Sequence, residues 1–230
     1  MPTTTFQQLP REKRERFTAA ALDEFALHDY RTASVSRIVR AAGIAKGSVY
    51  QYFDGKQDLY LHLVTLAAER KFGFIDGSVP ADVGGFFERF RLTVFHGARF
   101  DFTHPRLASL LYNATYEPSG PETRAVSAQL KAASYQYVRG LVDAGIRAGD
   151  LRADLDVDFA VFALYQLSVS LRDHLTERFS FSFKDAVRRG GGSPVPDDDL
   201  MAVLDDLVDL LRRGLAPSRP IPPPPEERRA

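Results

Sequence analysis

Residues 46 to 56, KGSVYQYFDGK, concentrate the groups with which this chain could recognise a charged, hydrogen-bonding partner. Lys46 and Lys56 supply ammonium charge, and Ser48, Tyr50, Gln51 and Tyr52 supply hydroxyls and an amide. Beside a nucleic-acid duplex, such tips donate to phosphate oxygens or read base edges. Core packing alone does not ask for polar tips there. Catalytic chemistry finds far less to work with. The histidines are His28, His62, His96, His104 and His174, and no two have the spacing of a helical metal pair. Glu24 shares a helical face with His28, and His104 follows Asp101, without a third partner in the pattern. There is no cysteine, so thiolate sites and disulfides are excluded. No nucleophile motif and no phosphate-cradling glycine loop occurs, so the chain is read as a non-enzyme. No catalytic residue, metal ligand or cofactor is assigned.

Charge distribution sharpens the first reading. The formal net charge of the 230-residue chain is zero. Between Arg31 and Lys56, however, Arg31, Arg37, Arg40, Lys46 and Lys56 are opposed by Asp54 alone. A basic patch on a neutral body is the footprint of a small phosphate-contacting module. A solvated helical face is the blander alternative.

Helical periodicity runs through almost the whole chain, which predicts an all-α fold of about nine helices. A first helix carries Phe17, Ala21, Leu22 and Phe25 on one stripe and ends near Asp29. Ser34 is a good N-cap for a second, with Val35, Ile38, Val39 and Ala42 at i, i+3, i+4 and i+7, and Gly43 stops it. A short helix over about residues 46 to 52 follows, and a longer one opens near Lys56. Helix, glycine turn and short helix make a helix-turn-helix, with Val49 and Phe53 anchoring the second helix from behind. Glycine and proline punctuation then predicts helices over about 83 to 101, 105 to 115, 121 to 147 and 157 to 178, and a last one from about 197. Phe179, Phe181 and Phe183 alternate like a strand without a partner, which predicts an extended arm. The tail, residues 217 to 230, is proline-rich and reads as disordered or polyproline-like. Residues 1 to 56 therefore form a DNA-binding unit, and 57 to 216 a larger helical one. No apolar run approaches the ~18 residues that would cross a bilayer, and the N-terminus lacks a secretory h-region, so a soluble cytoplasmic protein without a membrane partner is expected.

The stretch TASVSRIVRAAGIAKGSVYQYFDGKQDL resembles the DNA-binding signature of the tetracycline-repressor (TetR) family of bacterial regulators. The resemblance covers about residues 14 to 60; beyond that only helix number and length agree. It implies that Ser34 and Arg37 touch backbone phosphates and that Ser36 reaches a base. Lys46, Gly47, Ser48 and Gln51 would meet base edges and nearby phosphates. Tyr50 and Tyr52 would clamp phosphates, and Lys56 would do so from the following helix. Two departures stand out: Ala45 occupies a frequent serine position, and Asp29-Tyr30 replaces a glycine turn.

One such module binds weakly, and two held a helical turn apart read a palindrome. The last two helices are the expected homodimer interface, as in the family's four-helix bundle. Phe159, Leu167 and Leu171 represent the first of them; Leu200, Val203, Leu204, Leu207 and Leu211 form the stripe of the second. A monomeric core helix is the competing reading of that stripe. Phe and Tyr residues concentrate between positions 72 and 183, where family members enclose a ligand. The candidate effector site is Phe87, Phe90, Arg91, Val94, Phe95, Tyr112, Tyr116, Tyr135, Phe162, Tyr165, Gln166 and His174. Each ring taken singly reads more readily as core. Together they suit a small, largely apolar or aromatic ligand, acyl or drug-like, with Arg91 or His174 pairing with an anionic head group. A ligand that fits one spacing of the two recognition helices would release a repressor from a palindromic double-stranded DNA operator. The alternative is an all-helical scaffold that binds a partner other than DNA.

Overall fold

The computed structural model describes residues 2–191 and 195–215, and among them the fold is all-α. The predicted tail, 217 to 230, lies outside the described residues. Eleven helices follow one another among the described residues: α1 Thr4–Gln7, α2 Arg11–Leu27, α3 Val35–Ala42, α4 Ser48–Tyr52, α5 Gly55–Ser78, α6 Gly85–Thr103, α7 Pro105–Tyr116, α8 Pro121–Ala148, α9 Val157–Arg178, α10 Phe183–Arg188 and α11 Asp197–Leu215. No helix among the described residues is long and apolar enough to cross a membrane.

Helix ends follow local chemistry. The Ser34 hydroxyl accepts from the Arg37 N–H, and Gly43 closes α3 in the left-handed region at φ 65°, where side chains are disfavoured. Asp156 and Ser182 cap α9 and α10 in the same way as Ser34 caps α3. The turn after α2 needs no glycine because the Asp29 carboxylate accepts from both the N–H and the hydroxyl of Thr32.

Two helices were not predicted. α1 is a single turn whose Phe6 is buried among Phe17, Tyr52 and Phe53. α10 replaces the expected extended arm. Ser182 starts a helix instead of continuing a strand, and Phe181 and Phe183 pack on Phe102 from either side of that junction. The alternation reflects a cap between two buried rings.

Three apolar clusters hold the molecule. The first joins α1–α4 to α5 and α7 through Phe17, Phe25, Phe53, Leu59 and Leu110. The second gathers Phe102, Leu171, Leu200 and Leu204 from α6, α9 and α11. The third gathers Phe86, Phe90, Val142, Leu164 and Val208 from α6, α8, α9 and α11. The stripe on α11 is therefore corrected. Leu200 and Leu204 are fully buried, Val203 and Leu211 nearly so, and Leu207 packs partly buried beside them, all within one chain. The stripe covers α6, and ion pairs from Arg91 to Asp205 and from Arg99 to Asp197 tie the same two helices. Leu171 is likewise interior, whereas Phe159 and Leu167 on α9 are exposed.

Candidate nucleic-acid interface and effector cavity

The recognition element α4 has five residues, too few to be stable alone, so its neighbours must hold it. Val49 and Phe53 are fully buried, and Phe53 lies 4.9 Å from the Phe6 ring and stacks with Phe17. The segment before α1 secures its last turn: the Thr3 N–H donates to the Tyr52 carbonyl at 2.9 Å, and the Thr3 hydroxyl to that of Gln51 at 2.6 Å. With its back fixed in this way, α4 turns outward the exposed side chains of Tyr50 and Gln51, with Ser48 partly exposed, and Lys46 and Gly47 stand exposed in the turn before it. Tyr50 is 64 % exposed.

The other assigned residues divide differently. Tyr52 is 3 % exposed, its ring edge-on to Phe17, so it is a core residue and no phosphate clamp. It stands three residues from Val49, on the inward face. Arg37 is exposed but engaged within the chain. Its Nε donates to both Glu24 oxygens, and its Nη2 donates to Glu24 at 2.5 Å and to the Thr32 carbonyl at 2.8 Å. Burial alone would push the Glu24 carboxyl up, but hydrogen bonds from Arg37 and the Ser34 N–H and the Arg37 charge hold it below the usual carboxylate range. Ser34 is occupied as the α3 cap, and Ser36 is partly exposed. Lys56 donates to the Arg31 carbonyl at 3.2 Å with its Nζ 4.7 Å over the Tyr30 ring, and burial lowers its pKa. It braces the turn before α3 and keeps two N–H donors for other partners. Arg40, exposed one helical turn beyond Ser36, makes no ion pair among the described residues, and neither does Lys46. The sequence reading counted the charge of Arg40 but gave it no role; its spacing from Ser36 was the available signal.

A cavity of about 250 Å³ lies in the body, walled by α5, α6, α7, α8, α9 and α10. Of the residues assigned to the effector site, Phe90, Val94, Tyr112, Tyr116 and Tyr165 line it. The Tyr116 and Tyr165 hydroxyls are hydrogen-bonded at 2.9 Å, and burial pushes both phenols up. Seven of the assigned residues lie elsewhere. Phe87 packs under Arg212 in the third cluster, and Phe95 is buried in the second. Arg91 is engaged by Glu88 and Asp205. Tyr135 sits behind the wall with its ring 4.4 Å from that of Tyr165. Phe162, Gln166 and His174 are exposed on the outer face of α9. Helical spacing identified an apolar α9 but not which side met the interior.

The sequence reading missed the polar part of the wall: Lys71, Thr93, Asp101 and Arg172. Lys71 donates to both Asp101 oxygens at 2.7 and 2.9 Å, joining α5 to α6. Arg172 follows Tyr165 by two helical turns, a spacing that could have placed it on the cavity side. Among the described residues no group of His, Asp and Glu could hold a metal ion.

Two family models match the chain. "Bacterial regulatory proteins, tetR family" covers residues 17–63, and "Tetracyclin repressor-like, C-terminal domain" covers residues 85–216. A TetR family transcriptional regulator from Chloroflexus aurantiacus J-10-FL, solved as a crystal structure, is 40 % identical with a TM-score of 0.79, over 95 % of this chain and 100 % of that one. The uncharacterized HTH-type transcriptional regulator YdgC of Bacillus subtilis (strain 168) is 39 % identical over 54 residues, 24 % of this chain and 28 % of its own length. The transcriptional regulator FadR from Bacillus subtilis, solved in complex with stearoyl-CoA, shares the fold at 22 % identity and a TM-score of 0.60, over 87 % of this chain and 98 % of that one. Matched at its helix-turn-helix and along its C-terminal body, the chain belongs to the TetR family of DNA-binding transcriptional regulators.

Proposed function

We propose that this chain is a homodimeric, ligand-responsive repressor of the cytoplasm. In this reading residues 1 to 56 bind one half of a palindromic DNA operator, and residues 57 to 216 sense a small, largely apolar effector. The observation that carries it is the two-faced α4: Val49, Tyr52 and Phe53 are buried behind while Lys46, Tyr50 and Gln51 are exposed in front. Exposed amide and hydroxyl tips read base edges, while Lys46 and Arg40 neutralise phosphates at the margins.

Two helices support the coupling. α5 starts beside the recognition unit and presents Ala68, Lys71 and Phe72 to the cavity. α7 packs on α2, with an Arg106–Asp23 ion pair, and presents Leu111, Tyr112 and Tyr116 to the same cavity. A ligand that displaces either wall moves the head, and DNA affinity falls by the coupling factor. Rings and aliphatic side chains along the wall suit an apolar ligand body, as does the stearoyl-CoA complex of the FadR fold relative.

Electrophoretic mobility shift on the DNA upstream of the protein's own gene, with unlabelled random DNA as competitor, tests the reading. A shift that resists competitor and weakens steeply with salt is expected. A shift abolished equally by any DNA would refute the repressor, and no shift at all would favour a scaffold.

A further inference from the structure

Among the described residues the cavity holds one cation whose hydrogen-bonding capacity is left largely unused. Three charged residues line it: Lys71, Asp101 and Arg172. Lys71 and Asp101 satisfy one another, since both carboxylate oxygens accept from the same ammonium. Arg172 has no ion-pair partner among the described residues. Its guanidinium lies over two rings, 3.7 Å from the Phe183 centroid and 4.3 Å from that of Tyr112. Its one hydrogen bond to protein among the described residues is a long one, from Nη1 to the Ala108 carbonyl at 3.4 Å. A guanidinium carries five N–H donors in a planar fork matched to a carboxylate. Burial also disfavours its charged form, although Asp101 and other acids nearby oppose that. Supplying a counter-anion would relieve that penalty.

Another polar group in the wall is unsatisfied. Among the described residues the buried Thr93 hydroxyl has no hydrogen-bond partner, while the Ser134 and Ser168 hydroxyls of the same wall bond back to their own helices. The rest of the lining is mostly ring and aliphatic surface, including Phe72, Phe90, Phe102 and Tyr137.

We propose that the effector is a monocarboxylate with an apolar body, its carboxylate bound inside the cavity by Arg172 and its polar end assisted by the Thr93 hydroxyl. The inference rests on the reading of this cavity as the effector site. It places the ligand's charge inside the cavity, whereas an acyl thioester brings an uncharged carbonyl there. The guanidinium reads the carboxylate and not the body behind it, so planar aromatic and alkyl carboxylates share the recognised chemistry.

Calorimetric titration of the full chain with 2-naphthoate and decanoate, each beside its neutral amide, tests it. At least one acid should bind about tenfold or more tightly than its amide, the ratio that a charge-assisted hydrogen bond confers. The better acid identifies the aromatic or alkyl body. Arg172→Met should abolish that preference, Arg172→Lys should retain part of it, and Thr93→Val should weaken the acid. Equal binding of acid and amide, absence of binding by all four probes, or a preference that survives in Arg172→Met would overturn the proposal. Tighter binding of decanoyl-CoA than of either acid would overturn it too. Should Arg172→Met fail to fold, as judged by circular dichroism, the wild-type acid-to-amide ratio and Arg172→Lys still decide. Operator retardation by the probe-free wild type tests the repressor reading separately, so acid–amide parity with intact retardation would sink only this inference.

Discussion

Tyr50 and Tyr52 stand two positions apart and do opposite work, which makes them the sharpest probe of the interface. Tyr50 is exposed and has no partner among the described residues, so Tyr50→Ala is expected to abolish or severely weaken operator retardation with an unchanged melting temperature. An unfolded Tyr50→Ala protein would mean that the ring is structural. Tyr52→Ala removes a ring packed against Phe6 and Phe17 and should cost about 3–4 kcal/mol of stability, read by urea denaturation. The difference was legible in the spacing: Val49, Tyr52 and Phe53 fall at i, i+3 and i+4, the inward face of a helix. The family resemblance assigned Tyr52 to phosphate because it records residue types, whereas burial depends on what α1 brings to that face. Arg37 shows the same limit. Its charge was visible, but Glu24, thirteen residues earlier, claims it through a fold that a linear pattern does not display. Because the folded carboxyl of Glu24 is held below its unfolded value, the pair stabilises the head above the ordinary carboxylate range, and that contribution is lost as pH falls through the folded value. Glu24→Gln should accordingly cost about 1–2 kcal/mol at neutral pH and flatten the acid limb of the stability–pH curve, the modest figure reflecting the partial exposure of Arg37.

At the scale of elements, long amphipathic helices and their punctuation were readable, and elements of one turn were not. α1 carries a single buried residue, Phe6, too little to give a period, although Thr3 is a recognisable cap. α10 was masked by alternation that a cap and two rings produce together. Amphipathy told that the α11 stripe must be covered without telling by what, and the answer is α6 of the same chain. Close approach of α6 and α8 depends on Gly145. A Cβ there would lie 2.9 Å from the Phe86 Cβ and 3.0 Å from a Leu151 methyl. Alanine in a helix interior gains about 1 kcal/mol over glycine in propensity, while overpacking costs about 1–3 kcal/mol. Since the nearest atom is a Cβ, fixed by its own helix, the clash should win. Gly145→Ala is expected to lower thermal stability, and a raised melting temperature would show that α6 can shift.

For the whole molecule, burial of the α11 stripe relocates the surface available to a second copy. Phe159, Phe162 and Leu167 remain exposed at 66, 47 and 37 % along α9, and Leu210 at 68 % on α11. Both helices give their opposite faces to the third cluster, so these four side chains have no covering among the described residues. In a two-fold dimer the same patch meets itself, and a charge placed in it meets its own copy across the axis. Phe162→Glu should therefore give monomers in sedimentation while the monomer stays folded. Leu204→Glu, by contrast, should unfold the body, because that side chain is fully buried. The monomeric variant retains an intact α4 but has lost the effective concentration of the second head, so its operator affinity should fall by about two orders of magnitude or more. Dimers persisting in Phe162→Glu would move the interface off α9. Monomers that still bound the full operator as tightly as wild type would mean that a single head suffices and that the palindrome is not read by two.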